Sequence, residues 1–125
     1  MINNSITAVS QGQWAENLAH NYLCQQGLKP IERNFRCKTG EIDLIFLDKT
    51  IVAFIEVRYR KNSRIYGGSL ESIDFRKQQR IIKTATYYLH THKWAQQFSC
   101  RFDAVLISGN TTNPQLSWIS DAFRI

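Results

Sequence analysis

Two acidic residues sit where a plain core strand would carry none. Asp43 interrupts the apolar run of residues 41–47, and Glu56 interrupts the apolar run of residues 51–57. Arg58 follows Glu56 by two positions, so the two side chains share a strand face. Carboxylates on adjacent strands can hold a hard divalent cation, which activates water and stabilises charge on a phosphate. On that reading Asp43 and Glu56 are metal ligands, with the backbone carbonyl of Val57 as a further one, and the cation is Mg²⁺ or Mn²⁺. Arg58 would then steady the phosphate or the attacking water. The pattern Asp43…Glu56-x-Arg58 has the form of the Asp…(Asp/Glu)-x-Lys arrangement of nucleases. As a bare acid-x-base pattern it also arises by chance, so its weight depends on the elements that carry it.

Those elements read as a hairpin. Asp48-Lys49-Thr50 separates the two runs. With Lys49-Thr50 as a two-residue loop and Asp48 opposite Ile51, Asp43 falls opposite Glu56, with β-carbons about 4.5–5.5 Å apart. A slip of one residue would instead put Asp43 opposite Ile55. Lys-Thr is not a favoured two-residue turn, so the register is an expectation. Two carboxylates that close raise at least one pKa, and a divalent cation removes that cost. Both runs are apolar on both faces and should be central strands covered on both sides.

Around the hairpin, Ala15, Leu18, Ala19, Tyr22 and Leu23 recur at helical spacing and predict a helix over residues 11–26. Ser10 is its expected N-cap and Gly27 its stop. Glu16 lies at the edge of the apolar face, either as a charge favoured by the helix dipole or as a group aimed into a site. Residues 28–37, with Pro30, suggest an edge strand, with Arg33 and Arg36 facing solvent. Residues 59–70 form a basic loop containing Gly67-Gly68. A second helix is expected from Ser72 or Asp74 to Lys93, with Gln78, Ile82, Ala85 and Leu89 on one face and Arg76, Arg80, Lys83 and Tyr87 on the other. Lys77 lies at the edge of that basic stripe, which is either an ordinary solvent face or a track for a phosphate backbone. His90 and His92, two apart on a helix, do not face each other and make no metal site. Strands follow over residues 101–108 and, briefly, 115–119. Asp103 is expected to be structural, paired with Arg101 or a neighbour, with a role in the site as the alternative. The order α-β-β-β-α-β-β describes one α/β domain spanning residues 1–125, a mixed central sheet flanked by helices behind a loose lead-in at residues 1–9.

Charge is unevenly placed. Residues 58–83 carry eight of the 16 Lys and Arg residues, namely Arg58, Arg60, Lys61, Arg64, Arg76, Lys77, Arg80 and Lys83, against only Glu71 and Asp74. The remaining residues balance, so the whole net charge of +6 resides in that window. Such clustering suits a polyanion, and these residues beyond Arg58 are the candidate nucleic-acid contacts. Cys24, Cys37 and Cys100 form no C-x-x-C pair and are expected to be buried, reduced thiols. No apolar run is long enough to span a membrane, and the first residues lack a signal-peptide pattern. The expectation is a soluble, cytoplasmic protein.

The motifs Gly12-x-x-x-Glu16-x-x-Ala19, Glu32-Arg33-Asn34-Phe35-Arg36, Gly40-Glu41-Ile42-Asp43-Leu44-Ile45, Phe54-Ile55-Glu56-Val57-Arg58-Tyr59-Arg60 and Arg101-Phe102-Asp103, with the Gly27 stop and the Lys77 helix, resemble the YraN-like family of uncharacterised bacterial proteins. The likeness runs from about residue 10 to residue 108. That family is similar to archaeal Holliday-junction resolvases. The resemblance implies a restriction-endonuclease-like fold, DNA including branched DNA as partner, and an acidic site of Glu16, Asp43 and Glu56. It implies as well a homodimer whose two sites face two strands, although no residue marks an interface. The family's usual lysine stands at position 58, where this chain has arginine. Arginine stays charged and cannot act as a general base, but it can hold a phosphate; Lys61 or Lys77 could replace the lysine in space. Two functions follow. One is a metal-dependent, structure-selective DNA endonuclease with Glu16, Asp43, Glu56 and Arg58 in its site. The other is a catalytically impaired nucleic-acid-binding module with a degenerate nuclease site. A protein-interaction domain on the same fold is a third.

Overall fold

The computed structural model describes residues 8–61 and 73–125. In chain order the elements are α1 (Ala8–Gln25), β1 (Lys29–Cys37), β2 (Gly40–Asp48), β3 (Ile51–Arg60), α2 (Phe75–Thr91), a short 3₁₀ turn (Lys93–Gln97), β4 (Ser99–Ser108) and β5 (Gln115–Phe123). The strands form one mixed sheet in the order β1-β2-β3-β4-β5, with β3 and β4 parallel and the other pairs antiparallel. The expected α/β order is therefore present, with β3 at the centre.

Burial divides the core into two layers. Ala15, Ala19 and Leu23 of α1 pack with Leu44, Phe46, Ala53, Ile55, Val105 and Ile107 on one face of the sheet. Ile81, Ile82, Ala85 and Tyr88 of α2 pack with Ile45, Val52, Phe54, Ala104 and Leu106 on the other. The alternation Val52, Ala53, Phe54, Ile55 thus feeds both layers in turn, which is why β3 reads as a continuous apolar run.

Local signals place the helix ends. α1 spans Ala8–Gln25, so Ser10 lies inside the helix and is not its N-cap. At the other end Gly27 has φ +96°, and the Leu28 N–H donates to the Leu23 carbonyl at 3.1 Å. That is a Schellman closure, completed by two leucines buried in the same layer. α2 is capped by Asp74, whose carboxylate accepts from the Lys77 N–H at 2.8 Å.

Several boundaries differ from expectation. β3 continues through Arg60, because its parallel ladder with β4 runs to the Arg60↔Ser108 pair. Arg60 is therefore a strand residue, not a loop residue. β5 has nine residues rather than five, because Asp103 secures its far end. Asp103 is fully buried. It accepts from Arg101 Nε at 2.9 Å, from Trp118 Nε1 at 3.1 Å and from the Asp121 N–H at 2.9 Å. Arg101 in turn reaches Asp48 at 3.0 Å, so the network ties β2, β4 and β5 together. Removing one member strands the others. Asp103→Ala should cost about 3 kcal/mol, read as a lower urea midpoint with unchanged slope. An unchanged midpoint would show that the network contributes nothing. The three cysteines are free, but Cys24 is exposed and Cys37 and Cys100 are only part-buried, so the expectation of buried thiols does not hold. Among the described residues no helix is long and apolar enough to cross a membrane.

Candidate active site

The hairpin register is the expected one, with Asp48 opposite Ile51 and Leu44 opposite Ile55. Lys49 makes the turn possible by adopting φ +58°. The ladder then stops one pair short of Asp43 and Glu56. A second sign of the same break lies in the packing: Ile42 belongs to the α2 layer and Leu44 to the α1 layer. Residues two apart on a regular strand share a face. β2 therefore turns over at Asp43, which leaves that side chain directed along the sheet rather than into either layer. Its Oδ2 accepts from the Val57 N–H at 2.8 Å, so a carboxylate takes over a donor that the ladder no longer satisfies. Val57 enters the site through its N–H, holding Asp43 in place.

Glu56 points to the α2 side. Lys77 Nζ lies 3.3 Å and Arg58 Nη1 3.7 Å from its Oε2. Glu56 is buried, whereas Lys77 and Arg58 are part-exposed, so the cations line the way out. Lys77 is 21 positions from Glu56 in sequence and reaches it only because α2 crosses the sheet there. Burial, then the charge of Glu56, raise the Asp43 pKa to about 8; a hydrogen bond between the two carboxyls and the charge of Glu41 add to this, while the Val57 N–H opposes it. Asp43 thus holds a proton at neutral pH when nothing else compensates the pair.

Glu16 takes part in a second set of contacts. It is buried on the α1 side, where its Oε1 accepts from Arg33 Nε at 3.2 Å, Arg33 Nη2 at 2.9 Å and Asn34 Nδ2 at 3.0 Å. Arg33 is part-buried by that contact and does not simply face solvent. Among the described residues no three His, Cys, Asp or Glu side chains come together to hold one ion. Asn34 links the two regions. It has φ +55° and lies between the pairs Arg33↔Leu44 and Phe35↔Ile42, hence across from Asp43. Asparagine tolerates that backbone and is rare in strand interiors, which is the signal by which sequence alone could have found it.

The remaining candidates spread from the pair. Arg60 and Lys61 are exposed at the end of β3; Arg76, Arg80 and Lys83 are exposed on α2. Arg64 lies outside the described residues. His90 is exposed near the end of α2, whereas His92 caps that helix, with its ring stacked 3.7 Å from that of Tyr88. The β1–β2 turn abuts α2 between Lys77 and Tyr87. Gly40, at φ +147°, sits so close that a Cβ would come 3.1 Å from Thr84 Oγ1, and Thr39 Oγ1 lies 3.0 Å from the same atom. This contact fixes the start of β2, and with it Asp43, against the helix that carries Lys77.

Two carboxylates suit a hard cation. Mg²⁺ needs only one or two of them when phosphate oxygens and water complete the sphere. The donor set therefore fits a divalent cation bound together with a phosphate, and it does not resemble a closed structural site.

Comparison with known proteins places the chain. The model of the uncharacterised protein family UPF0102 matches residues 15–107. A UPF0102 protein of Stutzerimonas stutzeri is 47% identical over 116 residues, covering 92% of this chain and 95% of that one. One from Nitrosomonas europaea is 48% identical over 117 residues, covering 94% and 96%. One from Colwellia psychrerythraea is 42% identical over 118 residues, covering 94% and 91%. The match spans both helices and the hairpin that carries Asp43 and Glu56, and the chain belongs to the uncharacterised protein family UPF0102, the YraN-like family.

Proposed function

We propose that this protein is a metal-dependent DNA endonuclease of restriction-endonuclease-like fold, with the Asp43–Glu56 pair as its metal cradle and branched or flapped DNA among its substrates. The observation that carries the proposal is the convergence of two acids and two cations at the open end of the β2–β3 ladder: Lys77 at 3.3 Å and Arg58 at 3.7 Å from the Glu56 carboxylate, beside an Asp43 whose ionisation is disfavoured. The order α-β-β-β-α-β-β and the mixed sheet support the fold assignment. Asp43 and Glu56 would hold Mg²⁺ or Mn²⁺, which when bound would supply Lewis-acid polarisation of the scissile phosphate. The chain's own groups do the rest. Arg58 binds a phosphate oxygen with its planar fork. Lys77 takes the place of the lysine expected at position 58, countering negative charge beside Glu56. The Val57 N–H fixes the Asp43 rotamer. Glu16, through Asn34, braces the strand across from Asp43 and acts as a positioning residue.

The exposed Arg76 and Arg80 extend this surface along α2 and would bind backbone phosphates. The test combines turnover and binding. Purified protein should nick branched or duplex DNA in Mn²⁺ and stop in EDTA, and Asp43→Ala should not nick. Cleavage that survives Asp43→Ala would end the reading. Arg76→Glu with Arg80→Glu should weaken DNA binding about tenfold or more at low salt and flatten its dependence on salt concentration. Unchanged affinity would remove α2 from the contact surface. Salt-dependent binding without nicking would leave the degenerate binding module as the function.

A further inference from the structure

A cleft of about 690 Å³ lies between the β1–β2 turn and the second half of α2, lined by Phe35, Arg36, Lys38 and Tyr87 among others. Its size is that of a small-molecule site. Two aromatic rings lie along it: Phe35 and Tyr87 are near-parallel, 29° between planes with centroids 6.3 Å apart. Tyr87 is 50% exposed, and with Phe75 and Ile125 it is among the exposed large hydrophobic side chains of the described residues. Phe35 is braced edge-on by Tyr88 at 5.0 Å and by His92 at 6.0 Å, so its plane is set before anything binds. Around the rings lie cationic groups. Lys38 is exposed on the turn, and Lys83 stands one helical turn before Tyr87. Arg36 is largely offset by Glu41 at 3.4 Å.

The cleft continues the surface of the carboxylate pair. Lys77 and Tyr87 are ten residues apart on one helix, about 15 Å, and Arg80 lies between them beside Gly40. An exposed aromatic face next to lysines is the chemistry that single-stranded nucleic acid requires: the ring stacks on a base, and the cations follow the backbone. A base inside a duplex has both faces occupied by its neighbours and cannot use such a ring.

We propose that this cleft holds an unpaired nucleotide of the DNA, stacked on Tyr87 against the Phe35 wall, with its phosphates on Lys38 and Lys83. The site rests on the nucleic-acid reading above and sharpens it: the substrate carries a single-stranded segment whose base lies about 15 Å along α2 from Lys77. Selection of branched or flapped DNA over plain duplex then comes from the cleft and not from the carboxylates.

Binding in EDTA tests this without any need for turnover. The probes are a blunt duplex and the same duplex with a short single-stranded flap containing 2-aminopurine. Wild-type protein should bind the flapped probe about tenfold more tightly and change the 2-aminopurine fluorescence. Tyr87→Ala should lose that preference and the fluorescence change while binding the blunt duplex as before. Tyr87→Phe should retain both. Equal binding of the two probes by wild-type protein would overturn the cleft and leave the proposed nuclease standing. So would a Tyr87→Ala variant that keeps the preference, or one that weakens both probes alike. Binding of neither probe would overturn both.

Discussion

In the absence of divalent metal, Asp43→Asn should be more stable than the wild-type protein by about 3–4 kcal/mol at pH 8.5 and nearly equal to it at pH 4. The difference arises from the Asp43 proton. Its pKa is raised from 3.8 to about 8 in the folded protein, by burial first and by Glu56 second. A carboxyl whose folded pKa is raised binds its proton more tightly when folded. Its contribution to stability is full below the unfolded pKa and is lost as pH rises through the folded one. The wild-type protein should therefore lose stability between about pH 4 and pH 8, by up to about 1.4 kcal/mol per pH unit. The side chain is part-exposed, and water screening brings the total below what the full shift would give. Asparagine cannot ionise and still offers an oxygen to the Val57 N–H, so its profile should lack this slope. If the pair holds Mn²⁺ as proposed, the ion would replace the proton, so its affinity should rise towards pH 8 and its stabilising effect on the wild type should be larger at pH 8 than at pH 6. Urea titrations in EDTA at several pH values, repeated with Mn²⁺, read out both effects. Parallel profiles for wild type and Asp43→Asn would show that the pair is already compensated within the chain.

The same site shows how far the sequence was legible. The register followed from loop length: with Lys49-Thr50 as a two-residue loop, Asp48 falls opposite Ile51 and Leu44 opposite Ile55, as the structure has them. Gly27 and Pro30 marked a helix stop and an edge strand for reasons confined to their own backbones, and the structure has both. What escaped depended on distance. The ladder ends before Asp43 because β2 turns over there, and nothing in the alternation of Glu41-Ile42-Asp43 announces a turnover. Glu16 pairs with Arg33 because α1 crosses the α1-side face of β1, a packing choice that helical spacing alone does not fix. Ser10 has the chemistry of an N-cap, but the helix had already begun. Tyr87 and Phe35, far apart in sequence, gain significance only as neighbours.

Lys77 is the clearest case of meaning gained from packing. Lys77→Ala should reduce the rate of DNA cleavage about 10³-fold, roughly 4 kcal/mol of transition-state stabilisation, with DNA affinity changed less than about threefold. Sequence placed it only at the edge of a basic stripe. In the fold its Nζ is nearer to Glu56 than is the guanidinium of Arg58. On the proposed nuclease reading an ammonium there would adapt to a phosphate that gains charge as the bond breaks. A guanidinium two positions after Glu56 is confined to its strand face and would hold a phosphate oxygen in a fixed fork. On that reading the two cations would have separate roles, Arg58 binding the phosphate and Lys77 countering the charge that develops on it. Arg58→Ala should act mainly on affinity, and Arg58→Lys should cleave at close to the wild-type rate. Lys77→Arg should recover part of the loss in Lys77→Ala, because charge is kept while shape is not. Single-turnover cleavage with saturating DNA separates these contributions. If Lys77→Ala cut at the wild-type rate and Arg58→Lys cut much faster, the lysine's role would belong to strand β3, and the arginine would be a lesion rather than a partner.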